Sequence, residues 1–309
     1  LLHIQYHIIQ SGLAYHAYAD LGPAVSNAGV LGQITAMSLE SPDALRKEIQ
    51  KVRSLTNLPF GVNFAIGDHD RPFSHMLEVA IEENVPVVSM TGGNPTPIFD
   101  QLKGTNIKKL VLVAATRQAQ KAEELGADAV MVVGQEGGGH LGRDDVGTMV
   151  LVPRVVDAVS IPVIASGGIG DGRGLMAALA LGAEGIEMGT RFIATKECVH
   201  ASFVYKQALV DSTETGTTVI KRTIGAPARA LINPWTDKIH EIEASTPTYE
   251  ALKEYISGQA NKQYIYEGLE SKGFGWAGQV AGLIDDVPSV KELFVRMISQ
   301  AENFRVKWR

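Results

Sequence analysis

Eight short, nearly uninterrupted apolar runs constrain this chain more than any other feature. They occupy residues 8–10, 30–35, 60–66, 86–90, 110–114, 129–133, 162–165 and 185–188. A strand buried on both faces reads as such a run, whereas a half-buried strand alternates. Segments with helical spacing lie between the runs. In residues 41–52, Ser41 is placed to cap a helix with Pro42 at its first position, and residues 116–125 end at Gly126, a C-cap residue. Strand–helix units recurring every 20–33 residues or so predict an α/β fold, a (β/α)8 TIM barrel. A doubly wound open sheet competes, but it calls for a Gly-rich turn after the first strand, and that turn is absent.

After Phe192 the rhythm breaks. Residues 200–274 are more polar and are expected to form an inserted helical lid subdomain. Residues 275–309 contain an amphipathic stretch expected to be the closing barrel helix, and residues 1–199 carry the barrel. Apolar surface on the lid fits either a pocket wall or a homodimer contact.

The 309 residues are 45% hydrophobic with a formal net charge of -6, enough for one large core. No basic block stands ready for phosphodiester chains, which argues against nucleic acid as a partner. No apolar run approaches the ~20 residues of a membrane span. The first residues show neither a basic start nor a long apolar stretch, so no signal peptide is expected. The single cysteine, Cys198, cannot form an internal disulfide, and the expected setting is a reducing one, the cytoplasm.

The 32 glycines are clustered, and the clusters sit where a barrel keeps its chemistry. Two follow the seventh and eighth runs: Ser166-Gly-Gly168 and Met188-Gly-Thr190. Loops at those positions form the usual phosphate site of such barrels. Backbone without side chains lets the N–H groups of Gly167, Gly168, Gly189 and Thr190 meet phosphate oxygens, helped by a helix N-terminus. A tight βα turn is the alternative, and it accounts for one such loop better than for two at consecutive strands.

The sixth run ends in Gln135-Glu-Gly-Gly-Gly-His140. Glycine forgoes packing, so Gly139 and its neighbours suggest that a flat ligand comes close to the backbone. His140 is then aimed across that ligand, and imidazole suits proton transfer near neutrality. A histidine that merely caps a loop carbonyl is the ordinary alternative. Asn63, in the third run, is an amide within an apolar stretch and needs partners if buried. His16 follows the first run and could border the pocket. His3 and His7 lie at the wrong end, and His200 and His240 belong to the lid. His69 and His75 near Asp68 and Asp70 repeat no known ligand spacing, so no metal site is expected.

Several stretches together resemble the nitronate monooxygenase family, formerly 2-nitropropane dioxygenases. They are Gln10-Ser-Gly-Leu-Ala14, Ala24-Val-Ser-Asn-Ala-Gly29, Pro59-Phe-Gly-Val-Asn63, Gly138-Gly-His140, Ala165-Ser-Gly-Gly168, Met188-Gly-Thr-Arg-Phe192 and Trp276-Ala-Gly-Gln279. The family also includes FMN-dependent enoyl-thioester reductases and NADH:quinone reductases. The resemblance implies bound FMN and an oxidoreductase that converts alkyl nitronates with O2 to carbonyl compounds and nitrite. The alternative is a flavin reductase using NADH or NADPH on a quinone or an enoyl thioester. Carried onto this chain, Gly12 and Leu13 face the isoalloxazine, Asn63 meets its polar edge and Glu136 orders the pocket. Gly139, Ser166, Gly167, Gly168, Gly189 and Thr190 complete the cofactor site, and His140 is the catalytic histidine. The first motif usually reads Gln-Gly-Gly-Met, so Ser11 and Leu13 are departures. A flavin-free phosphate-sugar isomerase on the same barrel and a non-catalytic flavin binder are the remaining readings.

Overall fold

A computed structural model describes residues 1–67 and 73–307. In chain order its strands are β1 (Ile8–Gln10), β2 (Gly32–Thr35), β3 (Phe60–Ala65), β4 (Val87–Thr91), β5 (Lys108–Val113), β6 (Ala129–Val133), β7 (Gly139–His140), β8 (Val163–Ser166), β9 (Gly185–Met188), β10 (Thr217–Ile220) and β11 (Ala228–Leu231). Eight of them pair in parallel in the order β1-β9-β8-β6-β5-β4-β3-β2. Gln10 N donates to Leu31 O at 2.9 Å and Leu31 N to Ile8 O at 3.0 Å, which closes the ring. The fold is the expected (β/α)8 barrel, and each of the eight apolar runs contributes one strand.

Burial on both faces explains why the runs are continuous. One set of side chains, including Val62, Phe64, Val88, Val111, Val130 and Ile186, packs outward against the helices. The alternate set, Ile9, Leu31, Val87, Leu110, Ala129, Met131 and Ile164, fills the barrel interior. Two residues further along several strands, the interior turns polar. Asn63 Nδ2 donates to Ser89 Oγ at 2.9 Å, Ser89 Oγ to Gln33 Oε1 at 2.6 Å, and Gln33 Nε2 to Gln10 O at 2.6 Å.

Helix signals behave as the residue types require. Ser41 Oγ accepts from Ala44 N at 3.2 Å and starts the helix Pro42–Leu55. The helix Thr116–Glu124 ends just before Gly126, whose φ of +89° only glycine adopts without strain. The terminal helix Val290–Lys307 lies beside the helices Gly22–Asn27 and Gly172–Ala180 and completes the outer ring. None of the described helices is long and apolar enough to cross a membrane.

The insertion departs from expectation. Its helices Phe203–Val210, Pro234–Ser245 and Gly258–Glu267 are present, but β10 and β11 form an antiparallel hairpin, and β11 also pairs with β7. The lid is therefore mixed rather than all-helical, and β7, within the first 199 residues, belongs to its sheet. The reason is tertiary. Three of the four β10 residues are half-exposed, so Thr217-Thr-Val-Ile220 reads as polar until a neighbouring strand supplies the ladder. The hairpin and helices share a small core of Ile220, Ala230, Ile239, Leu252, Ala260 and Phe274. Asp68, His69 and Asp70 lie outside the described residues, and His75 pairs with Glu78 at 3.3 Å.

The terminal helix touches its neighbour through a glycine. A Cβ on Gly172 would run into the carbonyl of Met297 and the amide of Ala301. Gly172→Ala is expected to cost about 1–3 kcal/mol, the usual penalty of overpacking. A urea midpoint equal to that of the wild type would disprove this close approach.

Candidate active site

The residues singled out in the sequence converge on the C-terminal rim of the barrel. Gly167 and Gly168, after β8, have φ of +87° and +76°, a left-handed pair that only glycine adopts without strain. Among the described residues, the backbone N–H groups of Gly167, Gly168, Gly189 and Thr190 donate to no protein acceptor. Buried or half-buried amides are nearly always paired, so four open donors on adjacent loops point to an absent acceptor. The helix dipole contributes less than expected. The helix Gly172–Ala180 gives its first N–H groups to Asp171 and Gln300, and Thr190 begins a helix of only four residues. The open donors are therefore loop amides, a candidate phosphate clamp. The Thr190 hydroxyl accepts from Gly278 N at 2.9 Å, tying the clamp to the returning chain.

Gly12 follows β1, and a Cβ there would run into the Asn63 side chain. Backbone thus lies directly on the Asn63 amide, which is 1% exposed. One of its two Nδ2 N–H groups goes to Ser89, which holds the amide in place and turns its carbonyl oxygen into the acceptor that a ligand can meet. Leu13 is half-buried, within reach of a Cβ placed on Gly189. Ser166 and Ser11 stand beside the buried Glu187 carboxyl, yet neither Glu187 oxygen makes a hydrogen bond of normal geometry among the described residues. Burial pushes that carboxyl upward, which favours its neutral form.

Glu136 is a structural hub. Its carboxylate accepts from Thr148 N and Thr148 Oγ1, both at 2.9 Å, and its carbonyl accepts from Gln279 N at 2.9 Å. It also lies against Gly168. The loop that carries Gly139 and His140 is thereby fixed to the clamp and to the turn at Trp276. The His140 imidazole is exposed, and its ring centroid lies 5.6 Å from that of Trp276.

Lys221, which the sequence reading missed, is the neighbour of most consequence. It follows β10, its Nζ lies 2.9 Å from His140 Nε2, and it sits 5.3 Å from the centre of the Trp276 ring. The side chain is only 6% exposed, and its backbone is left-handed with φ of +65°, which costs a non-glycine residue about 1–2 kcal/mol. Burial pulls the ammonium down to about 8, partly opposed by Glu243. The spacing of two β-branched residues, Val219 and Ile220, before the Gly225–Pro227 turn was the one available signal for the hairpin that delivers it. The other histidines sit elsewhere. His16 is buried against Tyr205 and depressed to about 3 by burial, while His200 and His240 pair with Asp20 and Thr218.

The sequence profile of nitronate monooxygenases matches residues 1–71 and 65–300. This chain belongs to the nitronate monooxygenase family. A probable nitronate monooxygenase of Staphylococcus saprophyticus is 33% identical over 97% of this chain and 96% of its own. Among solved structures, FabK from Thermotoga maritima is 40% identical with a TM-score of 0.93, covering 100% of this chain and 96% of that one. A nitroalkane oxidase from Streptomyces ansochromogenes is 27% identical with a TM-score of 0.85, covering 99% of each chain. The protein is an oxidoreductase of a family whose members are generally FMN flavoproteins. Its rim fits the phosphate of such a group, for which open amides are present.

The buried cation has a consequence for stability. An unfolded lysine titrates near 10.5, whereas Lys221 titrates at about 8. Between those values the unfolded chain binds more protons, so stability rises with pH across that window. At pH 7 the charged, desolvated ammonium costs folding roughly 3 kcal/mol. Lys221→Met is expected to raise the urea midpoint at pH 7, with the advantage shrinking above pH 8. A destabilised variant with the opposite pH trend would contradict this.

Proposed function

We propose that this protein oxidises alkyl nitronates with O2 to carbonyl compounds and nitrite, using bound FMN. The observation that carries the reading is the exposed imidazole of His140, held on the rim beside four open amides. Bound FMN supplies the redox chemistry. The N–H groups of Gly167, Gly168, Gly189 and Thr190 hold the phosphate, with Ser166 flanking them. Gly12, Leu13 and Gly139 leave room for the planar ring, and the Asn63 carbonyl meets its polar edge. Glu136 fixes the loop that carries His140. With a neutral nitroalkane, His140 removes the proton α to the nitro group. With a preformed nitronate that step is unnecessary, and His140 only orients the anion.

A second reading is favoured by the full-length match to FabK at 40% identity. It makes the chain an enoyl-thioester reductase fed by NADH or NADPH. Both readings place negative charge on a substrate oxygen beside His140, in the ground state for a nitronate and during reaction for a thioester.

Aerobic incubation of the holoenzyme with ethyl nitronate is expected to release nitrite. Release no greater than from free FMN would overturn the first reading. Anaerobic bleaching of the flavin by NADH or NADPH, reversed by a crotonyl thioester, would establish the second. His140→Ala should slow turnover of neutral nitroethane by about 10²–10⁴-fold, the usual contribution of a general base, and affect ethyl nitronate much less. Equal losses on both substrates would remove the proton-abstracting role.

A further inference from the structure

We infer that Lys221 is the anion anchor of the substrate site, its ammonium binding a nitronate oxygen while it donates to His140 Nε2. The inference rests on the nitronate reading above and names the residue that recognises the negative charge.

Burial without a counter-charge is the first support. Lys221 is 6% exposed, and among the described residues no carboxylate lies within 4.0 Å of its Nζ. The nearest acidic influence is Glu243, on the helix Pro234–Ser245. Its Oε1 already accepts from Thr223 N and Thr223 Oγ1, and its Oε2 lies 3.5 Å from His240. A buried ammonium is normally paired with an anion, because desolvating it alone is unfavourable. A ligand that brings the anion resolves the imbalance.

Placement is the second support. The ammonium carries three N–H donors, and its one protein hydrogen bond among the described residues goes to His140. Two donors are left for a ligand at the imidazole that the proposed chemistry uses. The left-handed backbone at Lys221 and the Trp276 ring hold the group in this position. Strain maintained at a residue beside a reactive group is a common mark of function.

The pairing also fixes proton positions. An ammonium donating to Nε2 requires that atom to be unprotonated, so the imidazole proton lies on Nδ1. For a neutral nitroalkane, the α C–H bond breaks and its proton goes to Nε2. The freed electron pair forms the C=N bond and leaves negative charge on a nitro oxygen. Lys221 shifts its N–H from Nε2 to that oxygen, so positive charge does not accumulate against the new imidazolium unopposed.

Butyrate is the probe, because its planar carboxylate has the shape of the nitronate of 1-nitropropane and it cannot be oxidised in the same way. Calorimetric titration of the holoenzyme should show butyrate binding, weakened at least ~10-fold in Lys221→Met, the scale of a lost charge-assisted contact. Lys221→Arg should keep it within about 3-fold of wild type, since the charge is retained. Binding should also weaken as the pH rises through about 8, where Lys221 loses its proton in the presence of its facing groups His140 and Glu243. In turnover, the KM for the preformed nitronate should rise about 10-fold in the Met variant, with a smaller change in kcat. Equal butyrate binding by wild type and the Met variant, or none by the wild type, would overturn the assignment. Because titration needs no turnover, loss of binding in the Met variant without any nitrite release by the wild type would uphold the anchor and remove only the nitronate reading.

Discussion

The loop after β6 depends on one carboxylate. Glu136 sits at the start of three successive glycines, a stretch that is entropically expensive to order. Its bonds to Thr148, together with the bond from Gln279 N to its own carbonyl, hold that stretch from two sides. Hydrogen bonds to a charged acceptor contribute about 1.5–3 kcal/mol each, enough to offset the ordering of a few glycines at roughly 1 kcal/mol apiece. Gly138 cannot be replaced by a stiffer residue, because a Cβ there would enter the backbone of Ala277 and Gly278, and Gly139 has a left-handed φ of +71°. Close approach of backbone to backbone is thus obtained by leaving out side chains, and rigidity is restored by one side chain reaching across.

From that loop the lid hairpin takes its register. Ala228 pairs with His140 and Arg229 with Gly139, while the Arg229 guanidinium donates to Gln135 O. The lid therefore grips the same short segment that presents the imidazole. Lys221, at the far end of the β10 strand, arrives beside His140 because β10 pairs with β11 and β11 with β7. The barrel interior handles polarity differently. Asn63, Ser89 and Gln33 satisfy one another, whereas burial pushes the Glu187 carboxyl upward and so favours its neutral form. Lys221, by contrast, is a buried cation with no carboxylate within 4.0 Å among the described residues, and it stands at the rim.

Much of this was legible in the sequence, for a definite physical reason. Parallel barrel strands are buried on both faces, so residues 129–133 or 185–188 announce themselves without any knowledge of their neighbours. Gly167 and Gly168 could be read as a ligand cradle because two adjacent glycines after a strand have few other uses. The lid was less legible. A two-residue strand such as Gly139–His140 carries no periodicity, and the half-exposed Thr217-Thr-Val-Ile220 becomes a strand only through its partners. Lys221 looked like one more lysine in a polar segment. Nothing local distinguishes a solvated lysine from a buried one, since burial there is decided by Trp276, some 50 residues further along the chain.

This difference in legibility follows a division of labour. The open amides are main-chain groups, two of them at the left-handed Gly167 and Gly168, so their sequence signature is the absence of side chains. In the proposed site, recognition of the substrate works through a side chain delivered by the insertion, and changing it leaves the loops of the open amides untouched. As proposed, Lys221 gives a preference for negative charge without altering the loops that carry the open amides. A neutral residue there would leave His140 with the same backbone pairing and the same Trp276 neighbour, but without the cation. Substrate choice within such a barrel can therefore change through the lid alone, which is why membership of the family fixes the cofactor chemistry more firmly than it fixes the substrate.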